Sequence, residues 1–343
     1  MIPDLKTINE AANRIKPYIH RTPVLTSQSI NRILGTELWF KCENFQKVGA
    51  FKSRGACNAV FSLTDEEVKR GVGTHSSGNH AQALARAAMI RGCKAYIVMP
   101  ETSPTVKSDA VRGYGGEITF CKPTLEDRES TLEEVKRRTG AVEIHPYNDY
   151  RIIAGQATAA MELLEDTGKL DIMIAPVGGG GLMSGTALAT SYISPSTTIY
   201  AAEPAGADDA YRSFTTKTLV PSVNPKTICD GLLTSLGSKT FPIILDKVHG
   251  IFTVSEESVI KAMKLTWERM KIVIEPSSAV PLAAVMENPQ VFAGKKVGII
   301  ISGGNVSLDK LPWNEPSRNE QPGITIENIS KVNATSSFRT TDD

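Results

Sequence analysis

Asp171-Ile172-Met173-Ile174-Ala175-Pro176-Val177-Gly178-Gly179-Gly180-Gly181-Leu182-Met183-Ser184-Gly185 is the stretch that decides the fold. An apolar, partly β-branched run of strand length leads directly into four consecutive glycines, and a helix is predicted to follow. A strand that empties into a Gly-rich turn and a helix is one unit of a parallel sheet covered on both faces. Outward from it the same grammar repeats. Ala95-Tyr96-Ile97-Val98-Met99 is apolar and Pro100 ends it; Thr198-Ile199-Tyr200-Ala201-Ala202 and Val297-Gly298-Ile299-Ile300-Ile301 read alike. Helical patterns lie between them at 81–91, 131–139, 152–166, 257–269 and 279–286. The alternation predicts an α/β protein with parallel sheets flanked by helices.

Composition narrows the classes. A chain of 343 residues has length for two α/β lobes. Hydrophobic residues make up 41% and charged residues 22%, the mix of a globular protein. A formal net charge of +1 gives no electrostatic reason to expect nucleic acid or a membrane as partner. The N-terminus has no uninterrupted apolar segment and carries acidic residues early, so neither a signal peptide nor a membrane span is predicted. Cys42, Cys57, Cys93, Cys121 and Cys229 are scattered without a C-x-x-C, so reduced thiols in a cytoplasmic protein are expected. After Trp313 the sequence turns polar, and residues 316–343 are expected to form a mobile tail. Its triplets at Asn328 and Asn333 are glycosylation sequons in form only.

Five stretches could carry chemistry. Glycines 178–181 let backbone N–H groups wrap a phosphate, and the dipole of the next helix favours a dianion. No Gly-Lys-Ser/Thr follows, so this is not a Walker loop. Nor is it G-x-G-x-x-G, although Glu203 falls about twenty residues on, where a dinucleotide fold has its ribose-binding acid. Gly49-Ala50-Phe51-Lys52-Ser53-Arg54-Gly55 sets a lysine among an aromatic and small residues. A lysine that attacks an aldehyde must be partly desolvated, so that its amine is often neutral; the plainer reading is a solvated surface lysine. Thr74-His75-Ser76-Ser77-Gly78-Asn79-His80 crowds hydroxyls and an amide at a strand-to-helix turn, where free N–H groups suit a carboxylate and Asn79 could meet a phenolic oxygen. The plainer reading there is an N-cap by Ser76 or Ser77. Ser302-Gly303-Gly304-Asn305 ends a strand and could present the Ser302 hydroxyl to a ring nitrogen. A neutral hydroxyl leaves a pyridine mostly unprotonated, a weaker electron sink suited to β-elimination and proton exchange. Glu203-Pro204-Ala205-Gly206-Ala207-Asp208-Asp209 spaces carboxylates beside carbonyls as a hard divalent cation requires, or is a polar loop.

In this order, the Phe51-Lys52-Ser53-Arg54-Gly55, Ser76-Ser77-Gly78-Asn79-His80, tetraglycine and Ser302-Gly303-Gly304-Asn305 motifs resemble those of the fold-type II pyridoxal phosphate (PLP) enzymes, most of all their serine racemase and serine/threonine dehydratase branch. Further echoes are His20-Arg21-Thr22-Pro23-Val24-Leu25, Ile153-Ala154-Gly155-Gln156, Ala202-Glu203-Pro204 and Trp267-Glu268-Arg269-Met270-Lys271. The resemblance spans residues 5–313. It implies a two-lobed fold like that of the tryptophan synthase β chain, with a large PLP-binding domain (1–69 and 147–315) and a small domain (70–146).

The resemblance also implies roles. Lys52 would bond PLP and act as base on one face of the substrate α-carbon, with Ser77 as acid/base on the other. Phe51 and Asn79 would contact the ring, Gly178, Gly179, Gly180, Gly181 and Leu182 the phosphate, and Ser302 the ring nitrogen. Ser76, Ser77, Asn79 and His80 would bind the substrate carboxylate, with Arg128 near the substrate side chain. Glu203, the carbonyl of Ala207 and Asp209 would hold Mg²⁺, Ca²⁺ or Mn²⁺. A homodimer and a nucleotide effector such as ATP are implied as well. Ala81 and Ala157 stand where the family favours glycine, adding methyls near the cleft. Three functions compete: a serine racemase that also eliminates serine to pyruvate and ammonia; a threonine or threo-3-hydroxyaspartate dehydratase, with Arg128 receiving a second carboxylate; and a non-enzymatic phosphate- or nucleotide-binding module.

Overall fold

The computed structural model describes residues 1–103 and 105–313, so the tail expected at 316–343 lies outside the described residues. Its strands are β1 (Val24–Leu25), β2 (Glu37–Cys42), β3 (Val72–His75), β4 (Ala95–Pro100), β5 (Glu117–Cys121), β6 (Val142–Glu143), β7 (Ile172–Pro176), β8 (Thr198–Pro204), β9 (Gly250–Val254) and β10 (Lys296–Ile301). They form a six-stranded sheet in the order β1-β2-β10-β7-β8-β9 and a four-stranded sheet in the order β5-β4-β3-β6. The strands of the smaller sheet occupy one continuous stretch of chain between β2 and β7.

Every pairing is parallel except that of β1 with β2. The antiparallel β1 was not foreseen within the parallel sheets expected, because two residues are too few to show a period. β10 lies inside the larger sheet, with Ile299 opposite Phe40 on one side and Ile174 on the other. A parallel strand with helices on both faces has no wet side, which is why its sequence is continuously apolar.

The five predicted helices are observed as Asn79–Arg91, Leu125–Thr139, Tyr150–Thr167, Glu256–Met270 and Pro276–Glu287. Most of the difference lies at N-termini, where a polar first turn hides the apolar period. Thr124 caps the second of these by accepting from Asp127 N–H at 3.0 Å, and Glu126 and Asp127 complement the helix dipole. Pro276 sits in the first turn of the last, where its missing N–H removes nothing.

Ile153, Leu163, Met173, Leu188 and Ile300 belong to one buried cluster, and Leu84, Ile97, Met99, Val111 and Ile144 to another. Each such side chain contributes about 1.5–3 kcal/mol of burial. Ala157 lies in the first cluster and Ala81 in the second, both fully buried, so their methyls are spent on packing and do not protrude into the cleft. Residues Met1–Val306 make up one compact unit.

Candidate active site

The turn before Lys52 is strapped to the end of β10. Phe51 N–H donates to Ser302 O at 3.0 Å, and Ala50 bridges to Gly303. Lys52 then opens the helix Lys52–Phe61. Its Nζ donates to Pro146 O at 2.9 Å and lies 5.1 Å from the centre of the Phe51 ring. Burial lowers the Lys52 pKa to about 8, against a partial upward pull from Glu275. This half-buried amine is not the solvated lysine of the plainer reading. Beneath it, the fully buried Arg54 forks between Glu43, at 2.7 and 2.8 Å, and Glu162, at 2.8 Å through two nitrogens. Lys41 joins Glu162 at 2.6 Å. Two cations against two anions, with hydrogen bonds filling the geometry, make the burial tolerable and fix the base of the Lys52 helix.

The tetraglycine turn forms a cradle in which no Cβ fits. A Cβ on Gly178 would lie 2.9 Å from Leu232 Cα, on Gly179 2.3 Å from the Tyr147 ring, on Gly180 2.8 Å from Thr240, and on Gly181 2.9 Å from Tyr147 Cβ. Gly180 also has φ +87°, a conformation that L side chains rarely adopt. Leu182 follows in the first turn of the helix Gly181–Ile193, which has no side-chain cap. Its first N–H groups have no partner within the helix and are available to an anion. Tyr147 adjoins Pro146, so one short segment meets both the lysine and the cradle.

At the end of β3 the helix Asn79–Arg91 is capped by Gly78 with no side-chain hydrogen bond. Ser76 and Ser77 are therefore not its caps, and the N-cap reading is corrected. Asn79 donates to both carboxylate oxygens of Glu275 at 3.2 Å. His80 is buried, with Nε2 3.0 Å from Ile144 O, while its Nδ1 has no partner. A carbonyl can only accept, so Nε2 carries the proton and Nδ1 is an acceptor that cannot donate to a carboxylate. What His80 offers an anion is its backbone N–H in the first turn. Burial holds His145 down at about 4, and its Nδ1 accepts from Tyr147 N–H at 3.3 Å and Asn148 N–H at 2.9 Å.

Ser302 is buried, its hydroxyl 2.9 Å from that of Ser278. Ser278 donates to Gly303 O and accepts from Gly303 N–H, both at 2.7 Å. With that proton committed, Ser302 donates to Ser278, and a ring nitrogen would compete for the Ser302 proton. Arg128 lies on the helix Leu125–Thr139, donates to Pro123 O at 3.2 Å and keeps a buried Nε without a partner. Its charge acts on His75.

Glu203–Asp209 is not a polar loop. Glu203 lies within β8 and Asp209 opens a helix, with Ala205–Ala207 as a 3₁₀ turn between them. Both carboxylates are buried, and burial pushes Glu203 up to about 9 and Asp209 up to about 6. Glu203 accepts from Ala210 and Tyr211 N–H, whereas Asp209 Oδ2 has no partner. No cluster of three or more His, Cys, Asp or Glu able to hold a metal occurs among the described residues. A cation here would rely on two carboxylates and backbone carbonyls.

A sheltered amine, a tetraglycine turn at a helix start without a side-chain cap, free N–H groups at a second turn and a serine hydroxyl at a third are the groups that PLP and an amino acid on it would require. The sequence family described as "Pyridoxal-phosphate dependent enzyme" matches residues 15–303. The chain belongs to this family. Among relatives of this PLP-dependent enzyme, the beta-hydroxyaspartate dehydratase of Paracoccus denitrificans is 53% identical over 313 residues, 91% of this chain and 99% of that protein. The serine racemase of Dictyostelium discoideum is likewise 53% identical over 313 residues, 90% of this chain and 96% of that protein. The crystal structure of the Dictyostelium serine racemase superposes with a TM-score of 0.86, covering 89% of this chain and 99% of that one.

Sequence reasoning missed Pro146, Tyr147, Leu232, Thr240, Glu275 and Ser278. None lies in a motif of its own, and each reaches the site through tertiary contact. Glu275 left one trace, an acid immediately before a proline at a helix start.

Proposed function

We propose that this PLP enzyme racemises serine and also eliminates it to pyruvate and ammonia. The observation that carries the proposal is the Lys52 amine: half-buried, shifted to about 8, and sited beside the glycine cradle. Bound PLP supplies the electron sink that makes the α-hydrogen of an amino acid acidic. Lys52 takes that proton on one face. The Ser77 hydroxyl, free of any capping role, serves the opposite face. Removal on one side and return on the other inverts the α-carbon. If the β-hydroxyl leaves as water instead, later hydrolysis returns that water and releases the keto acid and ammonia. N–H groups in the first turn of Asn79–Arg91 orient the carboxylate, glycines 178–181 with Leu182 hold the phosphate, and Ser302 faces the ring nitrogen.

Ser77→Ala tests the two-face assignment. Racemisation should fall at least a hundredfold while elimination of one serine enantiomer persists, read by chiral chromatography and pyruvate release. Full racemisation by the variant would refute it. A second reading, elimination from threo-3-hydroxyaspartate to oxaloacetate and ammonia, is favoured by the unpartnered Arg128 Nε and by the equal identity to a beta-hydroxyaspartate dehydratase. A panel of serine, threonine and hydroxyaspartate separates the two.

The same proposal includes Mg²⁺, Ca²⁺ or Mn²⁺ at Glu203, Ala207 O and Asp209, supported by the orphaned Asp209 Oδ2. It includes closure of a small domain (70–146) over a large one, a homodimer, and ATP as effector, which sedimentation and nucleotide titration test. A cytoplasmic setting accords with five free cysteines, four of them buried. No helix among the described residues is long and apolar enough to cross a membrane.

A further inference from the structure

Asn305 stands outside every role assigned above, yet its side chain sits at a junction of four segments. Its Nδ2 donates to Asn79 Oδ1 at 2.9 Å and to Val48 O at 2.8 Å. Its backbone N–H donates to Glu275 Oε2 at 3.1 Å, the oxygen that also receives Asn79 Nδ2. Ionised, the Glu275 carboxylate only accepts, and it then fixes which way the Asn79 amide faces. Asn305 then reads the other end of that amide as an acceptor. On the remaining side, Val48 holds φ 55°, a strained conformation for a β-branched residue. Gly49 has φ 68°, and a Cβ there would lie 2.6 Å from Asn305 Oδ1. The strained turn is thus shaped around the Asn305 amide, three residues before Lys52.

We propose that Asn305 and Glu275 are positioning residues, a clasp that holds Asn79, at the end of the four-stranded sheet, in register with the strained turn leading to Lys52. Neither touches reacting atoms. They set the distance between the Asn79 amide and the turn that leads to Lys52, and so connect the ends of the two sheets. The assignment of Asn79 to the cofactor ring rests on the reading above, but the clasp itself does not.

The test uses full-length apoprotein and holoenzyme, with Asn305→Ala and the near-isosteric Glu275→Gln. Hydrogen–deuterium exchange of the apoprotein should quicken at least tenfold in residues 47–52 and 76–82 in both variants, while β7 and β10 stay within twofold of the parent. In the holoenzyme, PLP affinity should fall at least tenfold and the absorption maximum of the bound cofactor should move, because Lys52 and Asn79 no longer keep their spacing. Combining Asn305→Ala with Asn79→Ala should add little to exchange at 47–52. If exchange at 47–52 and 76–82 is unchanged in a folded variant, or if the double variant is fully additive, the clasp is overturned. An enzyme inactive on serine would sink the proposed function and leave the exchange result standing.

Discussion

The Lys52 amine yields the most direct quantitative prediction. With a pKa of about 8 in place of 10.5, roughly one amine in five is neutral near pH 7.4, against about one in a thousand for a solvated lysine, a gain of about 200-fold. Competitive acetylation of the apoprotein with trace acetic anhydride, read peptide by peptide by mass spectrometry, measures this without cofactor or substrate. Labelling at position 52 should rise with a midpoint near 8. Glu275→Gln removes the charge that pulls Lys52 upward, so its midpoint should fall further. The same shift fixes the sign of a stability effect. Below about pH 8 the amine is protonated in both folded and unfolded chains, and burying its charge costs on the order of 3 kcal/mol. From 8 toward 10.5 the unfolded chain binds the extra proton, so the stability contributed by this group rises with pH across that window. Lys52→Met should flatten that rise in urea titrations. A labelling midpoint above 10, or a pH–stability curve that Lys52→Met leaves unchanged, would show that the amine is solvated and would refute the argument.

Three further predictions follow from packing and charge. Gly179→Ala sets a methyl 2.3 Å from the Tyr147 ring, so overpacking of about 1–3 kcal/mol should lower the melting temperature and reduce bound PLP, measured by calorimetry and absorbance. Arg54→Met strips Glu43 and Glu162 of their shared partner and should destabilise by about 3–5 kcal/mol in urea, because a buried uncompensated charge remains. Chelation should lower the melting temperature and added Mg²⁺ restore it, whereas Asp209→Asn should abolish the response; a parent protein indifferent to both reagents removes the cation from the proposal.

The parallel α/β fold was legible because a strand buried on both faces must be continuously apolar and must end in a turn, and 171–185 and 297–305 display both. The antiparallel β1 and the polar first turn of Leu125–Thr139 were not, since neither carries an apolar period. The site divides in the same way. Lys52, glycines 178–181 and Ser302 announce themselves through local backbone chemistry at strand ends. Tyr147 and Glu275 do not, and the Asn305 side chain, although it lies within a quoted motif, takes its meaning from bonds to Asn79 and Val48 that span 226 and 257 positions, as the Asn79–Glu275 bond spans 196. Local motifs thus supply the groups, and non-local hydrogen bonds set their spacing. A chain could keep every motif and still lose the site by changing one carboxylate at position 275. Substitutions that spare all four motifs but break the clasp are accordingly where motif-based prediction of this enzyme's activity should fail first.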